Sequence, residues 1–284
     1  MKQYAKLLRI KHYVKNILVF VPMFFNGSFF DPSKLIPALV GFFAFSLTCS
    51  AVYVFNDLRD VEKDRAHPTK CMRPIASGAI SLKAARACLM FCLLLSFALS
   101  LLTGAAASCI VIVIYLFLNI AYSGGLKNIP IVDVLILTMG FVLRIVYGAV
   151  VSGVAVSGWL YLTVFFGALF LSLGKRRNEI RQRGQTGETR EVLRLYTDSF
   201  LDKNMYVSLG LTIVFYALWA MAQNSLWMTG SVLLIVAIFM RYTLVLEGNS
   251  DGDPVEVLTH DKALLLLALL YVIYAGAVIY IYIK

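Results

Sequence analysis

The feature that most limits what this chain can become is a succession of apolar runs, each near the length of a bilayer crossing. Runs such as 35–55, 82–102 and 263–283 carry almost no internal charge, and about 20 mostly apolar residues in a helix span a hydrocarbon core. About nine spans are expected, at 16–30, 35–55, 82–102, 105–121, 131–151, 154–173, 205–222, 226–246 and 263–283. The first is the shortest and is interrupted by Pro22 and Asn26. No run alternates with the period of a membrane strand, which leaves helices as the spanning structure. The expectation is therefore an all-α polytopic membrane protein with one helical domain over 1–284. No cleavable leader is expected, because the basic N-terminal stretch lacks a short apolar run ending at a small-residue site.

A net charge of +10 could suggest a nucleic-acid partner, but the distribution of charge argues against one. Lys2, Lys6, Arg9, Lys11 and Lys15 precede the first run, and Arg59, Lys63, Arg65, Lys70, Arg73, Lys83 and Arg86 surround the second-to-third connection. Lys175, Arg176, Arg177, Arg181, Arg183, Arg190, Arg194 and Lys203 fill the sixth-to-seventh connection. The opposite side keeps only Lys34 and Lys284. This is the positive-inside pattern for a cytoplasmic N-terminus and nine crossings. The implied location is the inner (cytoplasmic) membrane, with the long, charged loops 56–81 and 174–204 in the cytoplasm. Their spacing, four spans apart, points to two pseudo-equivalent bundles that each deliver a loop. The five cysteines show no metal spacing and read as small packing residues.

The segment 56–74, NDLRDVEKDRAHPTKCMRP, carries the clearest chemistry. Taken as a helix, Asp57, Asp60 and Asp64 fall at i, i+3 and i+7, within about 60° of one another. Three carboxylates on one face repel unless a cation lies among them. Mg²⁺ suits such a face, since it takes oxygen ligands and is held by one or two carboxylates plus substrate phosphates. Asn56 adds a neutral ligand beside them. A solvated loop balanced by Lys63 and Arg65 is the plainer alternative. Deeper in the chain, Arg144 falls inside a span, where a charge is costly and faces a partner or a wet cavity. Eleven residues separate it from Asp133, about three turns, so a common face is expected. A structural ion pair or a substrate phosphate would each account for it.

Asn56-Asp57-x-x-Asp60-x-x-x-Asp64 followed by Arg65 resembles the first aspartate motif of the UbiA superfamily of intramembrane transferases. Tyr122-Ser123-x-x-Leu126-Lys127, with Asp133 beyond, is similar to the family's connection between its fourth and fifth helices. Most members are prenyltransferases with a second aspartate motif between the sixth and seventh helices. Here that loop opens with the basic run Lys175-Arg176-Arg177, and only Asp198 and Asp202 keep an Asp-x-x-x-Asp spacing. Lys15-Asn16, Asp64-Arg65-x-His67-Pro68, Gly140 to Arg144 and Lys175 to Arg177 resemble a particular branch, the decaprenyl-phosphate phosphoribosyltransferases.

That resemblance implies transfer of 5-phosphoribose from phosphoribosyl diphosphate (PRPP) to a polyprenyl phosphate, in the membrane and with Mg²⁺. It implies Asp57, Asp60 and Asp64 as catalytic and metal-binding residues, and Asn56 as a metal ligand and substrate contact. Lys15, Arg65, Arg73, Tyr122, Lys127, Asp133, Arg144, Lys175, Arg176 and Arg177 are the implied substrate contacts. Arginine suits the 5-phosphate because its planar fork grips phosphate oxygens in pairs. Two other readings stay open. One is prenyl transfer to an aromatic acceptor with Asp198 and Asp202 on a second metal; the other is a headgroup-binding membrane protein without catalysis. His67 fits a turn as well as a catalytic role, and Asp261 fits a helix start as well as a site.

Overall fold

Each long apolar run forms a helix, and most begin where a short polar side chain can take up a free backbone N–H. In the computed structural model, which describes residues 2–181, 191–248 and 254–283, the helices are α1 (Lys2–Leu7), α2 (Val21–Phe25), α3 (Pro32–Arg59), α4 (Val61–Arg65), α5 (Leu82–Leu102) and α6 (Ala107–Gly124). They continue with α7 (Val132–Ser152), α8 (Gly158–Arg181), α9 (Asp198–Met221), α10 (Leu226–Glu247), α11 (Pro254–His260) and α12 (Lys262–Ala277). The last turns after α12 widen into π geometry over Val278–Ile283. Asp31, Ser81, Thr197, Ser225 and Asp261 cap α3, α5, α9, α10 and α12 by accepting a hydrogen bond from the first turn, the usual device for satisfying an orphan N–H. No strand occurs among the described residues. Arg183, Arg190 and Lys284 of the charge pattern lie outside them.

Eight of the helices are long and apolar enough to cross a membrane, and they match eight of the nine expected runs. The first expected span, 16–30, differs. A 3₁₀ helix occupies Ile10–Phe20 and passes directly into the short α2. It runs antiparallel to α3. Arg9 meets Asp57, Tyr13 meets Ser50, Asn16 meets Ser46, and Phe20 stacks on Phe42. Between the outermost pairs, 11 residues of the first segment match 15 of α3. At about 1.5 Å per residue for α-helix the 15 cover roughly 22 Å, which gives the 11 a rise of about 2 Å each, the 3₁₀ value. A tighter, longer-rising helix thus lets a short segment follow α3 from its Asp57 end toward its Asp31 end.

The chain divides into two compact units. The first comprises residues 1–23, 28–124 and 143–154. Its core is aromatic and aliphatic: Phe45 packs on Tyr115 and Tyr147 with ring centroids 4.8 and 5.1 Å apart. Buried hydroxyls join its helices, with Thr48 and Ser96 2.6 Å apart and Ser100 3.0 Å from the Tyr147 phenol. Small polar residues of this kind let membrane helices approach closely and hydrogen-bond across the gap. At Gly148 the approach is extreme: a Cβ there would lie 2.0 Å from the Val19 carbonyl oxygen, so only glycine fits.

The second unit comprises residues 24–27, 125–142 and 155–284. Phe170 and Leu173 of α8 pack with Leu201 and Met205 of α9 and with Tyr242 and Leu246 of α10. A second cluster joins Leu160, Tyr216, Trp219, Met228 and Ala275. Tyr216 bonds both Ser231 and Tyr271, at 2.6 and 2.9 Å.

Candidate active site

In the first unit the end of α3 and the chain after it build an acidic pocket closed by arginines. Helix α3 stops at Arg59, and Asp60 takes a non-helical conformation with φ −98° and ψ 14° before α4 begins. This step breaks the helical phase on which the three-carboxylate face depends. Asp57 and Asp64 turn inward, only 3% and 4% exposed. Asp60 stays on the rim, partly exposed, with Arg59 Nε 3.4 Å from its carboxylate. The expected trio is therefore a buried pair with a third carboxylate beside it.

The buried pair converges on one nitrogen. Arg73 Nη1 donates to Asp64 Oδ2 at 2.7 Å and to Asp57 Oδ1 at 3.2 Å. Arg9 Nη2 adds a bond to Asp57 Oδ1 at 2.9 Å. Arg9 holds a left-handed backbone, φ 50° and ψ 48°, and its guanidinium lies 4.4 Å above the Tyr53 ring. Its cation-π seat and its carboxylate partner together offset that backbone strain. Asn56 Oδ1 accepts from Ser123 Oγ at 2.7 Å, which ties the Asn56-Asp57 motif of α3 to the Tyr122-Ser123 motif of α6. Tyr122 and Lys127 are half-buried, as is Lys15.

Arg65, His67 and Arg144 have partners of their own. Arg65 is exposed and pairs with Glu62 at 2.9 Å. His67 Nδ1 accepts the backbone N–H groups of Thr69 and Lys70 at 3.1 and 3.2 Å, so it organises the turn. Arg144 is 7% exposed within the helix bundle of the first unit. Its Nε donates to Asn16 Oδ1 at 2.8 Å, and its guanidinium lies 5.4 and 5.5 Å from the Phe45 and Tyr115 ring centres. Asn16 passes the link on to Ser46 at 2.9 Å.

The second unit gathers the remaining motif residues into an ion-pair network. Asp133 is fully buried and accepts from Arg176 Nε at 2.7 Å and from the Tyr196 phenol at 2.5 Å. Asp133 and Arg144 thus each have their own partners, and the common face expected from their spacing is not what engages them. Arg176 also reaches Glu179 at 2.7 Å. Burial, and then the bond to Asp133, push the Tyr196 phenol well above its ordinary pKa, so it stays protonated as a donor. The same oxygen accepts from Ile131 N–H at 2.6 Å, steadying a residue held at φ 70°. Arg177 pairs with Asp202 and, at 3.4 Å, with Glu247.

The basic run therefore splits by role. Lys175 is half-buried, whereas Arg176 and Arg177 are buried and neutralised by acids. Asp202 is engaged by Arg177 and Asp198 is the exposed first residue of α9. Asp261 caps α12 and forms a two-point bridge to Arg241 at 3.0 and 2.7 Å. The Arg241 bonds and the Leu264 N–H hold its carboxyl below the usual range. Arg9, Tyr196 and Glu247 were not distinguishable in the sequence. An arginine in a basic N-terminal stretch looks like any positive-inside charge, and a lone Tyr or Glu has no local signature.

The donor set at the first pocket suits a small hard cation. Asp57 and Asp64 already direct one oxygen each at a single positive nitrogen, with Asn56 and Asp60 next to them in the chain. Among the described residues no group of three or more His, Cys, Asp and Glu side chains is placed to hold a metal by itself. Mg²⁺ takes one or two carboxylates and fills its remaining positions with water and phosphate oxygen.

Residues 17–260 match the UbiA prenyltransferase family. The decaprenyl-phosphate phosphoribosyltransferase of Corynebacterium glutamicum is 35% identical over 97% of this chain and 86% of its own length. The enzyme of the same name from Mycolicibacterium smegmatis is 32% identical over 97% of this chain and 92% of its own. Among solved structures, a UbiA homolog from Archaeoglobus fulgidus bound to GPP and Mg²⁺ superposes with a TM-score of 0.73, covering 98% of this chain and 99% of that one at 22% identity. That last likeness concerns the fold.

Proposed function

The chain belongs to the UbiA prenyltransferase family, and on that premise we propose that it is a polyprenyl-phosphate phosphoribosyltransferase of the cytoplasmic membrane. It transfers 5-phosphoribose from PRPP to a polyprenyl phosphate and releases diphosphate, with its site facing the cytoplasm. The observation that carries this reading is the 35% identity to a phosphoribosyltransferase over 97% of the chain. The buried acid pair and its two arginines support it, as does the basic run Lys175 to Arg177 in the loop where a prenyltransferase would carry its second acidic motif.

One bond forms and one breaks. A phosphate oxygen of the lipid bonds to ribose C1, and the C1–oxygen bond to diphosphate opens, the electron pair leaving with diphosphate. The nucleophile is already an anion, so no strong general base is needed, and a single displacement inverts C1. Asp57 and Asp64, with Asn56 and Asp60 beside them, would hold Mg²⁺. When bound, the ion neutralises the charge that builds on the departing diphosphate. Arg73 and Arg9 supply positive charge at the same place. Lys15, Tyr122, Lys127, Lys175 and Arg65 are assigned to the donor's phosphates and the lipid phosphate. Asp133, Arg144, Arg176 and Arg177 are assigned to holding those groups in place. Catalysis is then chiefly orientation and preorganised electrostatics.

The test is product formation in membranes given radiolabelled PRPP and a polyprenyl phosphate, with and without Mg²⁺. The expected result is a metal-dependent, lipid-extractable ribose phosphate that falls by about a hundredfold or more in Asp57→Asn. Label that stays in the aqueous phase, with activity from a prenyl diphosphate and an aromatic acceptor instead, would overturn the assignment.

A further inference from the structure

The acid pocket is electrically balanced by the protein itself. Asp57 and Asp64 are almost wholly buried, and two buried carboxylates at hydrogen-bond distance from one atom cannot both stay ionised without positive charge between them. Arg73 supplies it. A single nitrogen, Nη1, donates to both carboxylates, at 3.2 and 2.7 Å. Arg9 adds a second cation, but touches Asp57 alone. Two carboxylates and two guanidiniums sum to zero, and the side chains of both arginines keep an exposed portion, 31% for Arg73 and 26% for Arg9.

A divalent ion taking the shared carboxylate oxygens must compete with Arg73 for them. It must also add two positive charges to a pocket that already holds two. On its own that exchange is opposed by Coulomb repulsion, which is strong where water is excluded. Diphosphate reverses the sign of the problem. It brings several negative charges with the metal, and a guanidinium released from the carboxylates is suited to grip its oxygens in pairs. The chain between α4 and Arg73 is an irregular stretch with one short 3₁₀ turn at Lys70–Met72, so the arginine sits on a segment that can adjust without disturbing a long helix.

We propose that Arg73 is an internal counter-ion that makes metal binding conditional on diphosphate, by occupying the point on which Asp57 and Asp64 converge until an anion offers it a better partner. This rests on the assignment of a diphosphate-bearing donor, though not on which group that donor transfers. Metal and diphosphate should therefore show a large mutual coupling, and Arg73 should be its main source.

The experiment needs no turnover. Mn²⁺ binding to the purified protein is followed by electron paramagnetic resonance with and without inorganic diphosphate, and protein-free blanks correct for Mn²⁺ bound by diphosphate in solution. The wild type is expected to bind Mn²⁺ weakly alone and about tenfold or more tightly with diphosphate. Arg73→Gln is expected to bind Mn²⁺ alone about tenfold more tightly than the wild type and to lose most of the diphosphate effect. Arg73→Lys should keep Mn²⁺ binding weak in the absence of diphosphate, because the bridge is made by one nitrogen, and should keep only part of the diphosphate effect, because an ammonium cannot grip oxygens in pairs. Arg9→Gln controls for the loss of any nearby charge, and should retain the coupling.

Equal Mn²⁺ affinity with and without diphosphate in the wild type overturns the proposal, whatever the variants do. So does an Arg73→Gln protein that binds Mn²⁺ alone no more tightly than the wild type, or Arg9→Gln behaving the same as Arg73→Gln. Arg73→Met, which keeps the apolar stem, replaces Arg73→Gln if the latter fails to fold. Failure of the phosphoribosyl assignment would show separately, as absence of labelled lipid with the metal coupling intact.

Discussion

At the scale of single residues, the sign of a charge is legible in a sequence and its partner is not. Lys175, Arg176 and Arg177 read as one basic cluster, yet Arg176 is fully buried against Asp133, 43 positions away, and Arg177 is buried against Asp202 and Glu247. All three carboxylates were legible as one motif, but their division into a buried pair and a rim residue was not, since nothing local shows that α3 ends one residue before Asp60. Burial decides what each charge is worth. Removing one member of a buried pair costs about 3–5 kcal/mol because the other is left uncompensated, whereas an exposed pair is worth about 0–1. Asp133→Ala should therefore destabilise the folded protein by about 3 kcal/mol, read as a clear drop in the unfolding temperature in detergent. Arg65→Ala, which removes the exposed bridge to Glu62 and a long bond to the Ala76 carbonyl, should leave that temperature nearly unchanged. Equal effects from the two would mean that Arg176 is not held as described.

At the scale of elements, eight long helices follow directly from apolar runs of bilayer length, though α8 continues to Arg181, past the expected end at 173, and α9 starts at Asp198, before the expected start at 205. The first segment escaped because periodicity over 11 residues does not separate three residues per turn from 3.6. Its polar positions, Lys11, His12, Lys15 and Asn16, also obscure any apolar stripe. The structure explains how so polar a stretch lies along α3. Asn16 is buried between Ser46 and Arg144, and Tyr13 reaches Ser50. The same contacts fix its closeness to α7, where the Val19 carbonyl leaves no room for a side chain on Gly148. Gly148→Ala should force one backbone away from the other. Overpacking of this kind typically costs about 1–3 kcal/mol, and more where the obstacle is backbone. The expected readout is a fall in monodisperse yield and unfolding temperature. Gly210→Ala in α9, where an added Cβ meets nothing within 4 Å, should be tolerated. A stable Gly148→Ala protein would contradict the packing of the 3₁₀ segment against α7.

At the scale of the whole molecule, the arrangement is set by which connections a membrane permits on each side. Within the first unit α3, α5 and α6 follow one another, so in a membrane the chain after α3 and after α6 leaves on one side and the chain after α5 on the other. The connection after α3 is long and charged, whereas α5 and α6 are joined by a short turn at Gly104, which has positive φ. The 3₁₀ segment completes this alternation. Arg9 lies at the Asp57 end of α3, and Asp31 caps the other end, so residues 9–31 run the length of a crossing helix and the basic N-terminus starts on the side of the acid pocket. Among the described residues eight helices are of crossing length, one fewer than the nine runs expected, and the 3₁₀ segment lies along α3 where the ninth was expected. If the charged face is cytoplasmic, single cysteines introduced into a cysteine-free variant report it directly. In intact cells, a membrane-impermeant thiol reagent should label Ala105→Cys and Asn224→Cys, and should label Lys63→Cys and Ala79→Cys only after the cells are opened. Met1 extended by a short cysteine tag should behave like Lys63→Cys. Labelling of that tag from outside would mean that the 3₁₀ segment does not cross, and would leave Arg9 unable to reach Asp57. Labelling of Lys63→Cys from outside would invert the molecule and remove the acid pocket from the compartment that supplies phosphorylated sugars.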